Sequence, residues 1–221
     1  RVAVLNKDVF GEIRPESEHL CTVAGHSLCC DVFGGHSAGE QTATGMCFHG
    51  EAGMVSWVVT GVDANTADGS TLTMAATLPH SQLRISRKFE LRSGFNTVKC
   101  TESISNLAGF QRAAGRAQHV TVGHEWLGAG SCHFACNASR GVTWPEELPS
   151  QTWNRDVQFT YPNIPEGDAH VDWRVFPRGR NNLDLCTLEV DPSSSFGWFI
   201  ALNPVSNLAL SYVWERSAFP W

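Results

Sequence analysis

No window of helical length in these 221 residues carries an apolar stripe at 3.6-residue spacing, which removes helix-built folds from consideration at the outset. Long apolar runs are missing as well. None approaches the roughly 20 residues of a membrane-spanning helix, so no membrane partner is expected. The opening residues, Arg1-Val-Ala-Val-Leu-Asn-Lys-Asp, hold too short an apolar run for a secretory signal. Lysine is scarce: Lys7, Lys88 and Lys99 are the only three among 16 basic residues, and no block of Lys and Arg gathers anywhere. With a net charge of −6 and a pI near 5.8, that absence argues against nucleic acid as a partner. The shortage of lysine itself points to no function. No internal repeat or low-complexity linker divides the chain, so one domain over residues 1–221 is the simplest organisation.

What is present is cysteine, glycine and alternation. Eight cysteines could make four disulfides in a secreted chain, but a chain able to bury its own core can equally keep them as free, buried thiols in the cytoplasm. Cys132-His133-Phe134-Ala135-Cys136 is a compact Cys/His cluster, yet no second pair follows at zinc-ribbon spacing, and no metal is expected there. The adjacent Cys29 and Cys30 read as small core residues. Asn137-Ala138-Ser139 fits a glycosylation acceptor, a triplet common by chance.

The strand signal recurs along the whole chain. Over residues 82–92, Leu83, Ile85, Phe89 and Leu91 share one face with a single charge, Arg87, and polar residues fill the other. Ser93-Gly94 turns the chain into Val98, Cys100 and Ile104, which makes a hairpin. Similar alternation appears at Val55/Trp57/Val59, Leu72/Met74, Val157/Phe159/Tyr161, Val171/Trp173/Val175 and Leu208/Leu210/Tyr212/Trp214. Residues 198–202 are continuously apolar, as expected of a central strand covered on both faces. Turn clusters fall at 63–69, 106–109, 137–141, 192–195 and 203–204. The expected fold is an all-β, large antiparallel β-sandwich.

Chemistry concentrates in two places. In 115–126, a strand over 118–123 puts His119 and Thr121 on one face and Val120 and Val122 on the other. An imidazole on a rigid strand can be aimed, as a proton-transfer group must be. Upstream, Gly34-Gly35-His36 precedes His49-Gly50-Glu51-Ala52-Gly53, where glycines let the backbone approach a ligand and Glu51 shares a face with His49.

These motifs, in this order, resemble the galactose mutarotase-like superfamily and its aldose 1-epimerases. The resemblance rests on His49-Gly-Glu-Ala-Gly before Trp57, on Glu102-Ser-Ile-Ser-Asn106, on Gln118-His119-Val-Thr-Val-Gly123, and on a C-terminal pattern from Trp198 to Phe219-Pro220-Trp221. It covers roughly residues 20–221 and implies a cofactor-independent isomerase that interconverts the anomers of a monosaccharide or sugar derivative. Ring opening needs a base for the anomeric hydroxyl and an acid for the ring oxygen, roles suited to a carboxylate and an imidazole. By resemblance His119 is the acid, His49 binds near the ring oxygen, and Asp184 holds a hydroxyl, with Asp168 and Asp172 as alternatives. The base is a glutamate near the C-terminus, for which Glu215 is the candidate and Glu125 the substitute. Trp126 joins the substrate-binding set with Glu51, while His26, His36 and His133 are further pocket candidates. Three features depart from the family. The chain ends at Trp221, where epimerase-like relatives continue into a segment that could hold the base. No Arg lies between Arg14 and His49, and the chain is shorter than typical members. A carbohydrate-binding relative without turnover and a β-sandwich interaction module are the other two expectations.

Overall fold

The computed structural model describes residues 25–35, 42–43, 46, 49–123, 126, 132–175 and 183–221, with Asn65 described by its backbone alone. Cys21, His36, Cys47, His124 and Glu125 lie outside the described residues. As the alternation predicts, the molecule is all-β, with fourteen strands among the described residues and every named pairing antiparallel. The helices of the described residues include none long and apolar enough to cross a membrane. The chain divides into two compact units, Arg1–Thr121 and Val122–Trp221.

In the first unit, β1 (His26–Asp31) pairs with β6 (Gly115–Val120) as a two-stranded ribbon. A one-turn 3-10 helix, Glu51–Gly53, leads into a four-stranded meander of β2 (Val58–Thr66), β3 (Gly69–Leu78), β4 (Leu83–Arg92) and β5 (Val98–Asn106). The expected 82–104 hairpin is β4–β5, in register from Leu83↔Asn106 to Leu91↔Val98. Residues directly opposite one another share a face, so Leu78, Leu83, Ile85 and Ile104 form one apolar surface. Leu28 and Cys30 of β1 close over that surface together with Ala52, Val55 and Trp57, making a two-layer sandwich. Leu78, Leu83 and Ile85 are buried, and each contributes on the order of 1.5–3 kcal/mol of transfer free energy.

In the second unit, β7 (His133–Cys136) and β14 (Leu208–Glu215) flank β13 (Phe196–Asn203), while β8 (Ala138–Thr143) lies between β9 (Gln158–Thr160) and β12 (Cys186–Val190). A hairpin of β10 (Asn163–Glu166) and β11 (Ala169–Asp172) completes it. Phe134 stacks on both Phe199, at 5.7 Å between ring centroids, and Trp173, at 5.9 Å. Trp173 in turn meets Trp153 edge-on, so these aromatic rings run from one cluster of buried residues into the next.

Several expectations need correction. The strand at 118–123 is β6, which begins at Gly115 and stops at Val120, opposite His26, the first residue of β1. The strand read from Val55 starts at Val58, since the 3-10 turn and its hydrogen bonds to Met54 and Val55 occupy the preceding residues. Most of 137–141 is strand β8: Arg140 and Gly141 pair with β9 on one side and β12 on the other. Much of 63–69 is also strand. The continuous apolar run at 198–202 does sit on a central strand, but Trp198 and Leu202 remain 38% and 40% exposed, so one face is open. Cys29 and Cys30 are core residues, as read from sequence. The Asn137 side chain, between β7 and β8, bonds the Phe196 carbonyl and the Trp198 amide, a brace from that link to β13.

Candidate functional site

Pairing of β6 with β1 sets Ser27 opposite His119 and Leu28 opposite Gln118. His119 therefore leaves the ribbon on the face away from the meander, while Gln118 faces the meander. Residue 49 is delivered to the same place by two tight constraints. Gly50 packs so closely on β1 that a Cβ there would lie 2.4 Å from the Cys30 carbonyl, and its φ of 75° is one that glycine alone adopts readily. His49 also has a positive φ, 65°, held by a hydrogen bond from its amide to the Gly34 carbonyl at 2.9 Å. The Gly34 amide returns a bond to Nδ1 of His49, also at 2.9 Å.

The two imidazoles converge. Their ring centroids are 5.3 Å apart at an interplanar angle of 57°. Phe33 completes the cluster, 5.2 Å from His49 and 6.3 Å from His119, and is itself 60% exposed. Burial holds His119 below the ordinary imidazole pKa, opposed in part by a backbone hydrogen bond. Its Nδ1 lies 3.4 Å from the Thr121 hydroxyl, on the face expected from period two. Phe33 and the Gly34 amide were not singled out from sequence; the flanking glycines at 34 and 35 were their signal.

The described carboxylates of these stretches, Glu51 and Asp31, are committed elsewhere. Glu51 is buried, and its two oxygens accept bonds from the amides of His80 and Ser81 and from the Ser81 hydroxyl. Sequence proximity to His49 placed it in the substrate set, but the carboxylate instead anchors the β3–β4 turn, because the 3-10 turn breaks the extended geometry that would have aligned the two. Asp31 pairs with Arg112 and accepts from the Gly115 amide, about 13 Å along the strand from the position opposite His119. The thiols of Cys29 and Cys30 are pushed up to about 11 by burial and hold their protons at neutral pH.

Behind the ribbon lies a polar network that the sequence did not announce. Arg87, the lone charge on the apolar face of β4, pairs with Glu102 at 2.8 Å, both side chains about one-tenth exposed. Gln118 donates to Glu102 at 2.6 Å and accepts from Arg87 at 3.2 Å and from His26 at 2.7 Å. One amide thus ties β6 to both members of a buried ion pair and to β1.

The second unit holds further candidates, and two of them, Asp184 and Asp172, are engaged in hydrogen bonds within it. Asp184 accepts bonds from the Thr152 amide and hydroxyl and from the Trp153 amide, capping the loop that carries buried Trp153. Asp172 binds Arg174, which holds its carboxyl well below the usual range, to about 2, and Asp168 sits in the exposed turn after β10. Trp126 is half-buried and packs against the cluster of Cys132, Phe134 and Ala201. Glu215 is exposed at the end of β14. His133 is exposed on β7 and bridges Val175. Among the described residues, no three His, Cys, Asp or Glu side chains gather as a metal site. Compared with protein-family models, curated proteins and solved structures, the chain matches none.

Proposed function

We propose that the chain is a carbohydrate mutarotase of the aldose 1-epimerase type, opening and reclosing a pyranose ring at His49 and His119. The observation that supports this reading is the convergence of two histidines, 70 residues apart in sequence, to 5.3 Å. Both belong to the motifs that resemble the family, and an exposed aromatic ring stands beside them. A sugar presents an apolar C–H face that suits Phe33 and hydroxyls that suit the two ring nitrogens. A cytoplasmic setting goes with the reading, supported by six described cysteines that are all free thiols. Polarimetry tests it: freshly dissolved α-glucose or α-galactose should equilibrate faster with the protein present. A folded protein that leaves a panel of hexoses and pentoses at their spontaneous rates would dispose of the reading.

One observation favours a second reading, a carbohydrate binder without turnover. Glu51, the glutamate two residues from His49, is saturated by three donors at the β3–β4 turn and is not drawn to the histidines. Calorimetric binding of a hexose with no gain in mutarotation rate would select it.

A further inference from the structure

We propose that the second unit carries a ligand cleft of its own, made for a neutral oligosaccharide and built without either histidine of the first unit. The strand register makes it. Gly141 lies opposite both Phe159 and Leu188, and that row faces the cluster around Trp153 and Ile164. Period two therefore turns the two adjoining rows, Arg140 with Thr160 and Glu189, and Val142 with Gln158, to the opposite face of the sheet. Only Tyr161 and Pro162 separate β9 from β10, which packs beside it. Ile164 of β10 enters the same buried cluster, so Asn163, Pro165 and His170 lie on the other face of the β10–β11 hairpin. The outer faces of sheet and hairpin together line a cleft of about 480 Å³, within the roughly 300–1,000 Å³ of small-ligand sites.

The lining is distinguished by what it leaves unused. Elsewhere in this unit Asn137, Asn154, Asp184 and Asn203 spend their side chains on backbone groups. The amides of Gln158 and Asn163, the Thr160 hydroxyl and the His170 ring have no partner among the described residues. Arg140 is held in place: the buried Glu189 carboxylate takes its Nε, which leaves the two terminal nitrogens to meet a ligand. An amide and a hydroxyl each offer a donor and an acceptor, and a neutral imidazole offers one of each. A sugar hydroxyl uses both, whereas a phosphate or a carboxylate takes donors alone. Charge agrees. Glu189 balances Arg140, and the end and turn of the hairpin carry Glu166 and Asp168, so an anion gains little there. Pro165, directly opposite His170, gives the cleft an apolar wall for the C–H side of a sugar ring.

The deciding experiment is an NMR titration of the labelled full chain with maltotriose, cellotriose and lactose, and with inorganic phosphate and glucuronate as anionic arms. At least one neutral sugar should move the side-chain amide resonances of Gln158 and Asn163 saturably. Gln158→Ala and Asn163→Ala remove side chains that bond nothing in the fold, so both should keep the wild-type urea midpoint. Each should weaken the binding about five- to tenfold, the scale of one lost hydrogen bond, and His119→Gln should leave it intact. The proposal is overturned by the absence of a saturable shift at Gln158 and Asn163 with all three sugars, or by wild-type affinity in both variants. It is overturned equally if phosphate or glucuronate moves these amides and the sugars do not, or if His119→Gln abolishes the binding, which would place the sugar at the ribbon. A protein that speeds no mutarotation but passes this test keeps the cleft, because the cleft and the histidine pair share no residue.

Discussion

The two units are built from the same antiparallel material and handle buried polarity differently. The second unit stacks aromatic rings in its interior, with Phe134 between Phe199 and Trp173, pairs the buried Glu189 of β12 with an Arg140 whose side chain is mostly exposed, and lets Asp184 and Asp191 bind backbone amides on loops. The first unit buries an ion pair, Arg87–Glu102, under the ribbon whose outer face carries His119. A buried charge pair is weak evidence for stability but a strong constraint on geometry: removing one partner strands the other, while a well-packed apolar substitute can be neutral. The difference teaches where precision is needed. An aromatic interior tolerates small shifts in ring position, whereas the Gln118 amide meets Arg87, Glu102 and His26 in one arrangement only, and that arrangement fixes the register of the next residue, His119.

The largest effect that would break this comparison is at Glu102. Glu102→Ala leaves Arg87 and the Gln118 amide buried without their acceptor and should cost about 3–5 kcal/mol of unfolding free energy, read from urea midpoints. The matching change in the aromatic interior, Phe134→Ala, should cost a similar ~3–5 kcal/mol, through cavity formation alone. The two are told apart by rescue. An Arg87→Met/Glu102→Leu double substitution should recover much of the loss in the first unit, because the cost there is electrostatic. A double variant no more stable than Glu102→Ala would mean that packing dominates both units.

Next in size is the Gly50 seat. Gly50→Ala forces a Cβ to within 2.4 Å of the Cys30 carbonyl in a left-handed backbone, and should cost roughly 1–3 kcal/mol as well as shifting the His49 ring resonances. A variant of wild-type stability would show that this contact is looser than described.

How far the sequence foretold this can be judged residue by residue. Alternation was enough for β4 and β5, because both lie in one long hairpin with a polar and an apolar side. It failed at β8, where Asn137-Ala-Ser-Arg-Gly141 reads as a turn. Gly141 is there because the Phe159 ring and the Leu188 side chain crowd the space a side chain would need, a tertiary reason that no local pattern carries. The histidine pair was legible as two separate motifs. What could not be read was the partner of each carboxylate, since Glu51 finds Ser81 30 residues away and Asp184 finds Trp153 31 residues away, both through loops.

Asp184 supplies the third test. If its task is to cap the Thr152–Trp153 amides, Asp184→Ala should lower stability by about 1–3 kcal/mol and leave sugar affinity unchanged, as unfolding and calorimetry would show together. A weakened affinity at unaltered stability would return Asp184 to a binding role and erase the division between the two units.

The smallest effect is in pH. Burial lowers the His119 pKa below its value in the unfolded chain, so between the two the unfolded chain holds more protons. Stability linked to His119 is therefore complete above the ordinary imidazole pKa of about 6.5 and is lost as pH falls through the depressed folded value. In the ring-opening reading the same titration changes the proton that His119 can exchange with the sugar, so the rate should change over the same acid window. His119→Gln removes this linkage, and the difference between wild-type and variant urea midpoints should shift against the wild type as pH drops from 8 to 5. A constant difference over that range would mean that His119 carries the same proton occupancy folded and unfolded. Its burial would then have no electrostatic consequence, and the first unit would handle its outer face no differently from the solvent-exposed edges of the second.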